Sequence, residues 1–232
     1  MPAGNLARIA RDEMNQDALR GVAFVGRSLG PFFRYDPKSE WDVIGAHYDA
    51  IAALDAHAAA ADWPFADERT AFRAICLMQE GLEDDFDESA IIWEYRRLFV
   101  GPGHKAAPPW GSVYTSPDAT MFGTSWVALR EWMRANGVSV GGGHAREAED
   151  HFGLMLELSA WLADERPELL ADDLRIHLLP WAGRFLDGMY EAAQHPFFEG
   201  LALLAKTSLE GIGRELGSGA ASAWRPSARK DG

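Results

Sequence analysis

The chain has 232 residues, 47% hydrophobic and 25% charged, with 35 acidic against 22 basic side chains and a net charge of -13. This is an ordinary globular composition, and its acidity argues against nucleic acid or anionic membranes, which are held by cationic contacts, and suits a basic partner. The single cysteine, Cys76, excludes an internal disulfide and fits a reducing compartment.

Residues 1–15 mix charges of both signs and contain no continuous apolar run, so they read as neither signal peptide nor membrane anchor. No later run approaches the ~18 apolar residues that a spanning helix needs. The expected location is the cytoplasm. The expected organisation is one all-α domain over 1–216 and a disordered tail over 217–232, rich in Gly, Ala and Ser.

Apolar residues recur at helical spacing along nearly the whole chain. Leu6, Ile9, Leu19, Val22 and Leu29 mark a first helix, interrupted near Asn15, with Pro31 and Pro37 bracketing its exit. Ser39 is placed to cap a second helix carrying Trp41, Ile44, Tyr48, Ile51 and Leu54, and Asp67 to cap a third with Phe72, Ile75 and Leu82 inward. In the fourth, Ile91, Tyr95, Leu98 and Phe99 share a face, and Gly101 and Pro102 end it. From Gly101 to Thr120 the prolines Pro102, Pro108, Pro109 and Pro117 predict a stiff, extended loop. Such long ordered loops are often functional. Helices are predicted again over Met121–Asn136, with Gly137 as the residue past its end, then about Glu147–Asp164, Pro167–Leu179, Trp181–Gln194 and Pro196–Leu216. A flexible turn lies at Gly141, Gly142 and Gly143.

Few residues suggest catalysis. Gly211 and Gly213 resemble the start of a dinucleotide fingerprint, but no strand precedes them. His144, Glu147 and His151 offer a possible metal set, though no His-Glu-x-x-His pair or cysteine cluster accompanies them. Cys76 reads as a small buried hydrophobe on an apolar helix face. No serine stands in a nucleophile elbow. Arg96 and Arg97 lie mid-chain on a helix and are not an export signal. No nucleophile or activated water stands out, so the chain does not read as an enzyme, and no cofactor or metal is implied.

Two stretches carry a resemblance. One is Tyr95, Leu98, Phe99, Val100, Gly101 and Pro102, followed by Pro108, Pro109, Trp110, Gly111, Ser112, Val113 and Tyr114. The other is Glu147, Ala148, Glu149, Asp150, His151, Phe152, Gly153 and Leu154. They resemble the two signatures of the TorD/DmsD family of redox-enzyme maturation chaperones, an aromatic-x-x-Leu-Phe and a Glu-x-x-Asp-His pattern, in the family's order. Phe122 and Gly123, the helix from Ala128 to Met133, His177 to Leu186, His195 to Phe197, and Arg27 with Leu29 and Gly30 extend the likeness, which is nearest to the DmsD branch. Gly103 stands where that branch often has an aromatic, and Ala148 where it commonly has proline.

The resemblance implies a single helical domain, as a monomer or a domain-swapped dimer. Its implied activity is binding the twin-arginine leader, and in some members the body, of a molybdenum-containing oxidoreductase of the dimethyl-sulfoxide-reductase type. Export then waits until the cofactor is inserted, and the export or cofactor-insertion machinery becomes a further partner. The implied leader-binding residues are Tyr95, Leu98, Phe99, Pro109, Trp110, Phe122, Gly123, Glu149, Asp150, His151 and Arg27. A leader is basic and then apolar, so its receptor needs carboxylates beside apolar surface. Asp150 is the first choice for pairing with an arginine, and it equally suits a helix-stabilising acid. Other readings are a chaperone for the mature enzyme body alone, which assists cofactor insertion, and a metal-dependent hydrolase using His144 and His151. A DNA-binding regulator conflicts with the acidic balance.

Overall fold

The computed structural model describes residues 16–83, 88–101, 105–116, 119–139 and 147–217. Among these the secondary structure is helical, and the one β-type pairing is an isolated bridge between Trp110 and His151. The helices are α1 (Gln16–Arg34), α2 (Trp41–Ala52), α3 (Ala56–Asp62), α4 (Glu68–Glu80), α5 (Glu88–Tyr95), α6 (Gly111–Thr115), α7 (Thr124–Asn136), α8 (Phe152–Glu165), α9 (Pro167–Asp172), α10 (Leu179–Ala192) and α11 (Pro196–Glu215). Wider π-helical turns continue α5 over Arg96–Val100 and α9 over Asp173–Leu178. None of these helices is long and apolar enough to cross a membrane.

The core is organised around α1 and α8, which pack along each other, and around α11, which lies against α4 and α10. Helix α8 buries almost every residue from Phe152 to Ala163, as expected of a helix apolar all round. Small residues set the spacing. A side chain at Gly26 of α1 would stand 2.3 Å from the Leu156 carbonyl oxygen and 2.8 Å from Ala160 Cβ of α8. The two backbones therefore approach more closely than larger residues permit.

Local chemistry explains most helix ends. Asp67 caps α4 as expected, accepting from Thr70 N at 2.9 Å. Asp55 caps α3 through His57 N and Ala58 N; this short helix was absent from the sequence reading. Gly137 ends α7 in the left-handed conformation at φ 65°, as expected. Ser39 is not the cap of α2: Glu40 holds that position, without a side-chain cap bond, and its carboxylate accepts from Asp36 N instead. Pro31 lies inside α1, which runs on to Arg34. Pro180 does not break a helix; it sits in the first turn of α10, where its missing N–H is not needed. Helix α8 starts at Phe152 and not near Glu147, because residues 150–152 pair with the proline-rich loop. That loop is not extended throughout, since it contains α6.

Gly211 and Gly213 lie within α11. A Cβ at Gly211 would stand 2.0 Å from the Phe65 carbonyl oxygen. Gly211 is thus a packing residue. Cys76 is half-buried, not fully buried as expected. Leu6, Ile9, the glycines at 141–143, His144, Gly103, Pro102, Pro117 and the tail from 218 lie outside the described residues.

Candidate functional site

The two sequence signatures meet at one seam. Phe152 N donates to the Pro109 carbonyl oxygen at 2.8 Å, and Gly111 N to the Asp150 carbonyl oxygen at 3.0 Å. These bonds fasten the proline-rich loop to the start of α8. Pro109 and Trp110 are buried there, and the Trp110 and His151 rings meet edge to face at 5.8 Å. Lys105 stands over the outer face of the seam, with its ammonium 5.3 Å from the Trp110 ring centre. Gly111 is required because a side chain there would meet the Trp181 indole at 2.7 Å.

Asp150 faces inward, at 4% exposure. Its Oδ2 accepts from Ser112 N at 2.7 Å, supplying the cap that Trp110, the N-cap residue of α6, does not provide. Burial raises the Asp150 pKa, and the Ser112 amide and hydroxyl partly offset that. His151 is the N-cap of α8: its Nδ1 accepts from Gly153 N at 3.2 Å. Burial, with Arg34 nearby as a lesser cause, pushes its pKa down to about 3, so the ring is neutral at physiological pH. Both residues tie helices together, and Asp150 offers no carboxylate at the surface in this conformation.

Tyr95, Leu98 and Phe99 lie deeper still. Tyr95 Oη donates to the Phe33 carbonyl oxygen at 2.8 Å, serving a carbonyl in the last turn of α1 that lacks a helical partner. Phe99 packs among Phe33, Phe185 and Phe198. Phe33 in turn meets Phe152 at 4.7 Å. A continuous aromatic core thus joins the first signature to the second. Arg97 grips buried Glu94 through two parallel bonds at 2.6 and 2.8 Å, and Glu94 also accepts from Gln194 N. The conspicuous Arg-Arg pair is therefore committed internally, since Arg96 is paired with Asp36. Arg27 pairs with Asp164 of α8. It borders a separate cavity of about 700 Å³ among Phe24, Phe32, His47 and Trp63, which no other sequence-assigned site residue lines.

Val100 and Glu147 of the signatures are exposed, and Glu149 reaches the surface beside the start of α7. Glu149 is half-buried; one oxygen accepts from Trp126 Nε1 at 2.7 Å and the other meets Arg130 Nε at 3.1 Å. Phe122 is 55% exposed, holds a left-handed φ of 63°, and sets its ring against Trp126 at 5.0 Å. Met121, next to it in sequence, and Val127, five residues on, are also exposed. Gly123 precedes α7, where a Cβ would fall 1.9 Å from Ser116 Oγ; it permits close packing. Sequence reasoning missed Trp126 and Arg130, whose i, i+4 spacing on a helix was the available signal. It also missed Ser112 as the partner of Asp150.

Among the described residues no group of His, Cys, Asp and Glu is placed to hold a metal ion, and His144 lies outside them. What the site offers is a carboxylate bonded to a tryptophan whose ring packs against an exposed phenylalanine, on a helical scaffold. That is the form of a helical binding module.

Comparison with known proteins agrees. The family described as "Nitrate reductase delta subunit" matches residues 50–187, a span that includes both signatures. The "Probable Tat proofreading chaperone DmsD" of Haemophilus influenzae is 34% identical over 196 residues, covering 84% of this chain and 91% of the relative. The "Tat proofreading chaperone DmsD" of Salmonella typhimurium is 37% identical over 190 residues, covering 81% and 86%. The "Chaperone protein YcdY" of Escherichia coli is 26% identical over 161 residues, covering 68% and 77%. The chain belongs to the nitrate reductase delta subunit family and, within it, to the TorD/DmsD chaperones.

Proposed function

We propose that this protein is a chaperone that binds the twin-arginine leader of a molybdenum-containing oxidoreductase precursor, in the cytoplasm, and holds it from export until its cofactor is in place. One observation carries the reading: on a chain whose relatives are Tat proofreading chaperones over most of its length, Glu149 is bonded to Trp126, whose ring packs against the exposed Phe122. That juxtaposition suits a basic segment followed by an apolar one. A carboxylate binds an arginine through charge-assisted hydrogen bonds, and burying each apolar leader side chain contributes about 1.5–3 kcal/mol, partly offset by ordering the peptide. The net result is moderate affinity and ready release.

Within this reading the assigned residues divide by position. Glu149 and Phe122 meet the leader. Asp150, His151, Pro109, Trp110 and Gly123 hold the loop and helix ends that form the surface. Tyr95, Leu98 and Phe99 support it from the core, and Arg27 fastens α1 to α8. The net charge of -13 attracts the basic segment at long range.

The test is a titration with a fluorescent peptide carrying a twin-arginine leader, alongside the same peptide with both arginines replaced by lysine, and the enzyme body without its leader. Saturable binding of the leader is expected. The lysine peptide should bind about tenfold more weakly, because an ammonium lacks the planar fork. If the body alone binds as tightly as the full precursor and the leader does not bind, the protein serves the mature body and the leader reading is wrong.

A further inference from the structure

The cluster around Glu149 has three parts: a carboxylate, an aromatic face and a guanidinium already between them. Arg130 Nε lies 3.1 Å from one Glu149 oxygen, and the Arg130 guanidinium carbon stands 4.8 Å from the Trp126 ring centre. Trp126 Nε1 donates to the other Glu149 oxygen at 2.7 Å, which fixes the carboxylate against the ring. The exposed Phe122 ring packs against Trp126, with the ring centres 5.0 Å apart and the planes at 78°. A carboxylate together with an aromatic face is what recognises an arginine side chain, by charge-assisted hydrogen bonding and by attraction to the ring.

We infer that Glu149, Trp126 and Phe122 form an arginine-reading cage and that Arg130 is its internal stand-in, displaced when an arginine of the client peptide enters. The inference rests on the leader-binding reading and deepens it by naming the subsite and a built-in competitor. Burial and pairing separate this cage from the other arginine contacts around the site. The Arg97–Glu94 pair has its carboxylate sealed at 1% exposure and bonded to the backbone besides. Arg34–Glu157 joins α1 to α8, with both side chains less than a third exposed. Arg130 is instead 55% exposed and Glu149 28%. The pair is thus open at the surface and held by an exposed ion pair and one ring contact, each weak enough for a ligand arginine to replace. With its side chain 55% exposed, Arg130 can swing into solvent while its backbone stays within α7.

Competition of this kind gives substitutions of opposite sign at neighbouring positions. Arg130→Ala should tighten twin-arginine leader binding by about two- to fivefold, the equivalent of an exposed ion pair that no longer has to be broken. Glu149→Gln, which keeps an acceptor for Trp126 Nε1, should weaken it by about tenfold. Arg130→Ala made on the Glu149→Gln background should have little effect, since the carboxylate over which Arg130 and the ligand arginine compete is gone. Removing the nearby exposed charge at Arg134 should leave affinity as it was. Tightening by Arg130→Ala on both backgrounds, or equal tightening by Arg134→Ala, would reduce the effect to general charge removal and overturn the inference. So would wild-type leader binding that Arg130→Ala leaves unchanged.

A second measurement needs no leader. With millimolar argininamide as probe, the Trp126 indole N–H resonance should shift in Arg130→Ala and not in the Arg130→Ala, Glu149→Gln double variant. If that shift occurs although no leader binds the wild type, the cage stands and the leader reading fails. If the indole does not respond in Arg130→Ala, the cage is refuted whatever the leader does.

Discussion

Tyr95 shows how a signature residue can be held within the core. At 3% exposure its hydroxyl serves the Phe33 carbonyl oxygen, and its ring lies edge-on to Phe99 at 5.0 Å. Burial raises its pKa well above the usual phenol range, so it remains a neutral donor under all ordinary conditions. Tyr95→Phe removes the donor and leaves a buried carbonyl oxygen without it, which costs about 1–3 kcal/mol. Urea unfolding should show that loss as a lower midpoint with an unchanged slope. Leader affinity of the folded variant should be unaltered. A change in affinity of the same size as that from Glu149→Gln would instead place Tyr95 on the binding surface. The same logic applies to Asp150, one of whose carboxylate oxygens accepts from Ser112 N, and to His151, whose Nδ1 accepts from Gly153 N. The family resemblance implies an arginine partner for Asp150, and residue type suits an acid stabilising its own helix; in the structure its carboxylate bonds instead to the N-terminus of α6, 38 residues earlier in the chain.

At the scale of elements, the contact between α1 and α8 is the frame on which the seam is mounted, because α8 carries His151 and Phe152 at its start and α1 carries Phe33 at its end. Gly26 lets the two helices touch. An added methyl there would meet the Leu156 carbonyl oxygen at 2.3 Å, and backbone does not yield as a flexible side chain does. Gly26→Ala should therefore destabilise the protein by about 1–3 kcal/mol through forced separation of the helices, although alanine is the better helix former. Thermal unfolding checks this, and a neutral or stabilising result would show that the helices slide apart without cost. Helical spacing made most of these elements legible in the sequence: Ile91, Tyr95, Leu98 and Phe99 are all buried together as their periodicity required, and Asp67 and Gly137 mark real helix ends. What was not legible was tertiary. The bridge between Trp110 and His151 delays α8 by several residues, because the backbone of Asp150 and Phe152 bonds to another segment and not to its own next turn. The π-turns after α5 and α9 have no sequence signal of their own. The exposed cage was hidden for a similar reason, since Glu149 meets Trp126 and Arg130 only once that bridge has positioned it.

Over the whole molecule, the balance of charge and burial fixes how stability depends on pH, and two buried groups act with opposite sign. His151 has its pKa depressed from 6.5 to about 3. The unfolded chain takes up a proton there that the native state refuses, so its contribution is full above about pH 6.5 and lost as pH falls toward 3. Asp173 lies fully buried in the π-turn after α9, where Ser159 Oγ donates to it at 3.0 Å, and burial raises its pKa from 3.8 to about 7. Here the native state keeps a proton that the unfolded chain releases. That contribution is full below about pH 3.8 and is lost as pH rises through 7. The two slopes oppose each other between these limits, so the wild-type protein should be most stable in the mildly acidic range and should weaken on both sides. Single variants separate them. His151→Asn keeps an oxygen acceptor at the α8 N-cap and removes the imidazole, so its melting temperature should fall less than that of wild type from about pH 6.5 to pH 4. Asp173→Asn keeps an acceptor for Ser159 and removes the ionisation, so its melting temperature should fall less from about pH 5 to pH 8. Differences from wild type cancel the titration of every other carboxylate. If Asp173→Asn follows the wild-type curve on the alkaline side, Asp173 is ionised in the native protein throughout that range. The acidic excess of the chain would then be what drives the loss of stability there, by repulsion between surface charges and not by a buried proton.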